Sequence, residues 1–158
     1  MSSILLPIPP TGFDATNSAG IVFENSIVHV VFDAATAEGI YWVFRMPSDY
    51  SSAPLLKLVY SMASATSGTI EFEASIWAVS DGEDGDTESY DTVNTGTETV
   101  PGTAGLTSDL SITLTNADSV AAGDLIHIRL FRDADDGIND TATGDLELRA
   151  ASLEYTAA

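Results

Sequence analysis

Between Thr69 and Val79 the chain changes chemistry at every second residue. Ile70, Phe72, Ala74, Ile76 and Ala78 fall on one side of an extended strand. Glu71, Glu73 and Ser75 fall on the other, where Trp77 is the apolar exception. Successive side chains of a strand point to opposite faces, so this period of two calls for a sheet with one face on a core and one toward water. Leu110, Ile112 and Leu114 alternate in the same way with Ser111, Thr113 and Thr115. Apolar, β-branched runs at Ile27–Phe32, Ile40–Met46 and Leu55–Met62 read as further strands, as does the nearly two-sided run Leu125–Arg132. Leu146–Tyr155 closes the chain, and its apolar phase slips by one near Ala150–Ala151, the mark of a bulge. A short strand is expected near Tyr90–Val93.

These make about eight strands separated by Gly, Pro, Asp and Ser breaks, and no stretch carries a helical period. The predicted fold is an all-β, jelly-roll-like antiparallel β-sandwich. An immunoglobulin-like sandwich is the competing arrangement, which a missing Cys…Trp…Cys pattern disfavours only weakly. The division expected is an extended Pro-rich N-terminal arm over residues 1–19 and one sandwich domain over 20–158. Pro7, Pro9 and Pro10 impose extended backbone on the arm.

The sandwich must hold by packing, because the 158 residues include no cysteine. Disulfides, a thiolate nucleophile and a zinc–cysteine centre are excluded with it. The 24 Asp and Glu against 5 Lys and Arg give a formal net charge of -19. Nucleic acid is therefore not an expected partner, since phosphate contacts need cations, and neither is an anionic membrane. The apolar start of the chain lacks a basic n-region and is cut by prolines, so it does not read as a secretory signal. No run is long and apolar enough for a membrane-spanning helix.

Catalytic constellations are missing from the sequence. His29 and His127 both lie within strand patterns, and no Gly-x-Ser-x-Gly elbow accompanies them. With so many acids, paired carboxylates arise by chance and carry no weight. The chain is expected not to be an enzyme and to need no cofactor, with calcium the one candidate ion.

Two acidic clusters could hold it. The first is Asp81, Glu83, Asp84 and Asp86. The second is Asp133, Asp135, Asp136, Asn139 and Asp140, which opens like a calcium loop but has Gly144 where the twelfth-position Glu belongs. Both also read as solvated turns. Trp77, on the polar side of its strand, is the candidate for a subunit interface or ligand contact. Arg45 and Arg132 are scarce cations placed on strands, which pair with carboxylates, pack their stems on a sheet or face a neighbour.

Four segments together resemble small jelly-roll virion proteins of tailed bacteriophages, the capsid decoration proteins and related tail or fibre domains. They are Phe32–Tyr50 (FDAATAEGIYWVFRMPSDY), Tyr60–Gly82 (YSMASATSGTIEFEASIWAVSDG), Ser111–Asp136 (SITLTNADSVAAGDLIHIRLFRDADD) and Thr143–Tyr155 (TGDLELRAASLEY). The resemblance implies a homotrimer on a capsid or tail, partnered by the major capsid protein or a tail component. It implies a protein made in the host cytoplasm and carried in the virion, with no catalytic centre. The function expected on this basis is capsid decoration. The alternative is a receptor- or glycan-binding domain of a tail fibre.

Overall fold

A computed structural model describes all 158 residues. Eleven strands and no helix follow one another: β1 (Ser2–Leu6), β2 (Gly12–Phe13), β3 (Gly20–Glu24), β4 (Ile27–Phe32), β5 (Glu38–Arg45), β6 (Tyr50–Met62), β7 (Thr69–Val79), β8 (Asn94–Thr99), β9 (Ser108–Thr113), β10 (Leu125–Arg132) and β11 (Leu146–Ala157). They form two antiparallel sheets. The six-stranded sheet runs β3-β4-β11-β6-β9, with β1 also on β11, and the five-stranded sheet runs β2-β5-β10-β7-β8. Neighbours in each sheet are mostly distant in sequence, the mark of a jelly roll rather than a meander.

The predicted sandwich is therefore present, and the alternation on β7 fixes which face is which. Ile70, Phe72, Ala74 and Ile76 are buried between the sheets with Trp42, Leu56, Leu58, Tyr60, Ile126, Ile128, Leu148 and Leu153. Phe32 meets Phe72 edge to face across the layers, with ring centroids 5.2 Å apart. Trp42 spans the core and donates its indole N–H to the Pro7 carbonyl at 2.9 Å. The phase slip expected in β11 is real: its pairing with β6 shifts between Leu148 and Ala150, so Arg149 is the extra residue.

Two expectations are corrected. Residues 1–19 do not stand apart as an arm. β1 pairs with β11 from Ser2↔Tyr155 to Leu6↔Ala151, and β2 pairs with β5, so the prolines lead the chain from one sheet to the other. Leu6 is buried in the core. Extended backbone was the right reading of the prolines, but its partner is the protein's own sheets. Second, Tyr90–Val93 is loop, and the strand that follows it is Asn94–Thr99. The first aromatic and apolar residues after the acidic loop pack on a sheet face instead of entering a ladder.

Candidate functional site

The candidate site lies on the outer face of the five-stranded sheet. Pairing of β7 with β10 sets Glu73 opposite Phe131, Ser75 opposite Arg129 and Trp77 opposite His127. Asp133, just beyond β10, donates its N–H to the Glu71 carbonyl at 3.0 Å, which brings its carboxylate beside that of Glu71. One strand further, β5 sets Gly39 opposite Phe131 and Tyr41 opposite Arg129. The Phe131 ring needs that glycine: a Cβ at Gly39 would come within 2.3 Å of it.

The loop after β7 folds back over one end of this face, anchored by the Asp91 N–H on the Ile76 carbonyl at 2.9 Å. Tyr90 then covers Trp77 edge to face at 5.9 Å and leans on Tyr41 at 6.3 Å. The Arg129 guanidinium lies 4.6 Å from the centre of the Tyr90 ring. Burial under this loop raises the Tyr90 hydroxyl well above its ordinary range. Burial, with a hydrogen bond to Asp14, pushes Tyr41 up to about 12.

Below Tyr90 the face opens into a cleft of about 220 Å³ lined by Glu73, Ser75, Val93, Arg129 and Phe131. Its floor holds an anomaly. Ser75 is 1% exposed, and its hydroxyl has no hydrogen-bond partner in the protein. A buried hydroxyl without a partner is costly, so a polar atom entering the cleft gains a ready donor and acceptor. The cleft offers an aromatic ring, a guanidinium, a carboxylate and a hydroxyl within a few ångströms of one another.

At the cleft's far end Glu71, Glu73 and Asp133 bring carboxylate oxygens within 4.8 Å of one another. Desolvation first, and the charge of Asp136 second, raise Glu71. Desolvation, then a hydrogen bond to Asp135, lift Asp133 to about 6. These three carboxylates are the set that could share a cation, and only Asp133 of them came from sequence. Glu71 and Glu73 read as an ordinary solvated strand face, because nothing local says that β10 delivers another acid there.

The other predicted site residues are dispersed. Asp140 and Arg132 are turned toward each other inside the protein. Both side chains are fully buried, joined by two hydrogen bonds of 2.9 Å each. The remaining Arg132 N–H groups meet the carbonyls of Asp33, Ala142 and Gly144. Asp140 also accepts the Glu71 N–H at 3.0 Å. Asp136 spends its carboxylate on the turn, holding the Ile138 N–H at 2.9 Å and the Asn139 amide at 2.8 Å. The loop is thus a turn locked by an internal ion pair, with no ligand cage formed by Asp133, Asp135, Asp136 and Asp140 together.

In the first cluster Asp84 likewise accepts from Asp86 and Thr87, and Glu83 from Ser80. Trp77 is 9% exposed and stacked on His127 at 4.2 Å, so Tyr90 occupies the contact predicted for a partner. Arg45 stays exposed at the end of β5, donating to the Gly123 carbonyl at 3.0 Å.

No protein-family model matches the chain, and no curated protein matches it. Solved structures do. A CBM35 from Cellvibrio japonicus Abf62 superposes with a TM-score of 0.54 at 12% identity, covering 99% of this chain and 96% of that one. A CBM35 from Paenibacillus barcinonensis gives 0.53 at 14% identity, over 99% and 100% of the two chains. The C-terminal CBM6 of LamC from Zobellia galactanivorans gives 0.51 at 12% identity, over 96% and 98%. These likenesses are to carbohydrate-binding modules and not to phage proteins, so they support the jelly-roll part of the resemblance and leave the phage origin without support. At such identities the likeness shows the fold: the chain is a two-layer jelly-roll sandwich of the architecture that these carbohydrate-binding modules share.

Proposed function

We propose that the chain is a non-enzymatic glycan-binding module whose site is the cleft beneath Tyr90. The carrying observation is the cleft's chemistry: the Phe131 ring beside Arg129, Glu73 and the partnerless Ser75 hydroxyl. A sugar presents C–H patches to an aromatic ring and hydroxyls to a fixed array of donors and acceptors, and this cleft supplies both. The architecture shared with carbohydrate-binding modules supports the same reading. No observation of the fold favours capsid decoration over it.

The placing of the carboxylates supports binding rather than hydrolysis. Glycoside cleavage needs two carboxyl groups flanking the scissile bond. Glu71 and Glu73 sit on β7 with Asp133 just beyond β10, their carboxylate oxygens within 4.8 Å of one another on one side of the sheet. The test is a glycan array followed by calorimetry on each hit. Phe131→Ala is expected to weaken binding of a hit roughly a hundredfold, as loss of a buried aromatic anchor does. Binding that survives both Phe131→Ala and Arg129→Ala would move the site elsewhere.

A further inference from the structure

The β3–β4 hairpin gathers four of the exposed large apolar side chains, Ile21, Val22, Phe23 and Ile27, in one ribbon. Gly20–Glu24 is exposed along its whole length, with Phe23 75% exposed and Ile27 61%. β4 pairs with β11 only through Val30, Val31 and Phe32, because β1 takes over the edge of β11 from Ala151 onward. Residues 27–29 of β4 therefore have β3 alone beside them, and the hairpin projects from the body.

The faces of this ribbon are known from its register. Ile21 pairs with Val30 and Phe23 with Val28, which places Ile21 and Phe23 on the core side of the six-stranded sheet. No opposite layer reaches that far, so two core-facing side chains look into water.

The free edge is as specific as the exposed face. Asn25 and Ser26 both have positive φ, 51° and 66°, the two-residue turn that closes a hairpin tightly. Glu24↔Ile27 is then a hydrogen-bonded pair, Val22↔His29 the next, and the N–H and C=O groups of Ile21 and Phe23 point outward. An unpaired row of this kind is a template for another strand. Among the other edges, β2 has two residues, β8 carries Glu98 and β9 carries Asp109, while β1 has its free side beside the same hairpin.

We infer that β3 is a dimerisation edge, which pairs antiparallel with β3 of a second copy of this chain about a two-fold axis at Val22. In that register Ile21 faces Phe23 of the other copy, and each such pair exchanges hydrogen bonds in both directions through the groups that point outward. A strand whose free groups lie symmetrically about one residue is complementary to itself, which is the requirement for a closed two-fold interface. The axis runs perpendicular to the sheet, so both exposed core faces stay on one side and Ile21 packs on Phe23 across the join.

Charge selects the same place. The chain carries a formal net charge of -19, so two copies repel over most of their surface. The hairpin has one carboxylate, Glu24, and Arg149 already holds it at 3.3 Å. At this hairpin two apolar edges meet without acid against acid.

Light scattering after size exclusion and sedimentation equilibrium on the full chain are the test. The expected mass is twice 16.6 kDa at high concentration, with an association that tightens as salt screens the repulsion. Phe23→Lys and, separately, Ile21→Pro are expected to raise the dissociation constant roughly a hundredfold. Both sites are exposed, and the Ile21 N–H makes no bond to β4, so an unchanged circular dichroism spectrum and melting curve are expected of each monomer. Ile138→Lys, at an equally exposed apolar residue on a loop, is expected to leave the mass unchanged. A wild-type chain that stays at 16.6 kDa up to millimolar concentration overturns the inference, as does a dimer that persists in both β3 variants.

Discussion

Arg132 and Asp140 are the pair on which the loop end of the sandwich closes. A bidentate ion pair with every remaining donor satisfied has offset its desolvation, but removing one partner strands a charge in the core. Asp140→Asn or Arg132→Met should therefore lower unfolding free energy by about 3–5 kcal/mol, read from urea denaturation. A loss below about 1 kcal/mol would mean that water reaches the pair.

Asp133 behaves in the opposite sense. Its carboxyl is lifted from 3.8 to about 6 by desolvation, its hydrogen bond to Asp135 and nearby acids. A carboxyl raised on folding stabilises the protein fully below its unfolded value, and that contribution is lost as pH rises through about 6. Asp133→Asn should thus unfold at higher urea than wild type at pH ~7, and the difference should vanish near pH ~4. A constant difference across that range would assign the effect to packing.

At the scale of elements, β5 and β10 meet where the Phe131 ring lies over Gly39, so close that a Cβ there would come within 2.3 Å of the ring. The ring end can swing while the strand cannot, so Gly39→Ala should displace the ring and leave the ladder intact. Ligand affinity is then expected to fall roughly tenfold with little change in melting temperature, measured by calorimetry and thermal scans. β7 was legible in the sequence to the residue, because its alternation leaves no other periodicity. β3 was not legible as an edge: Gly-Ile-Val-Phe lacks alternation, since neither of its faces meets an opposite layer. β1 was hidden by the prolines after it, which describe backbone shape and not the strand it joins. The acid trio escaped notice for a different reason. Glu71 and Asp133 are far apart in the chain, and only the β7–β10 register makes them neighbours. Burial of Arg132 ran against the rule that places charges outside, a rule that fails where a carboxylate and three carbonyls converge.

For the whole molecule, the acid excess is a self-repulsion carried by the folded state. Screening it should help: the melting temperature is expected to rise by several degrees between ~10 mM and ~500 mM sodium chloride, followed by differential scanning calorimetry. A fall with salt would show that the few ion pairs, chiefly those of Arg149 with Glu24 and Glu147, outweigh the net charge. The pairing of Ser2 with Tyr155 has a separate consequence. Both ends of the chain emerge side by side where β1 pairs with β11 in the six-stranded sheet, and the cleft under Tyr90 lies on the other sheet. A short linker could splice them together, and a new start could be cut in the exposed turn at Gly102–Thr103, giving a circularly permuted chain with the same two sheets.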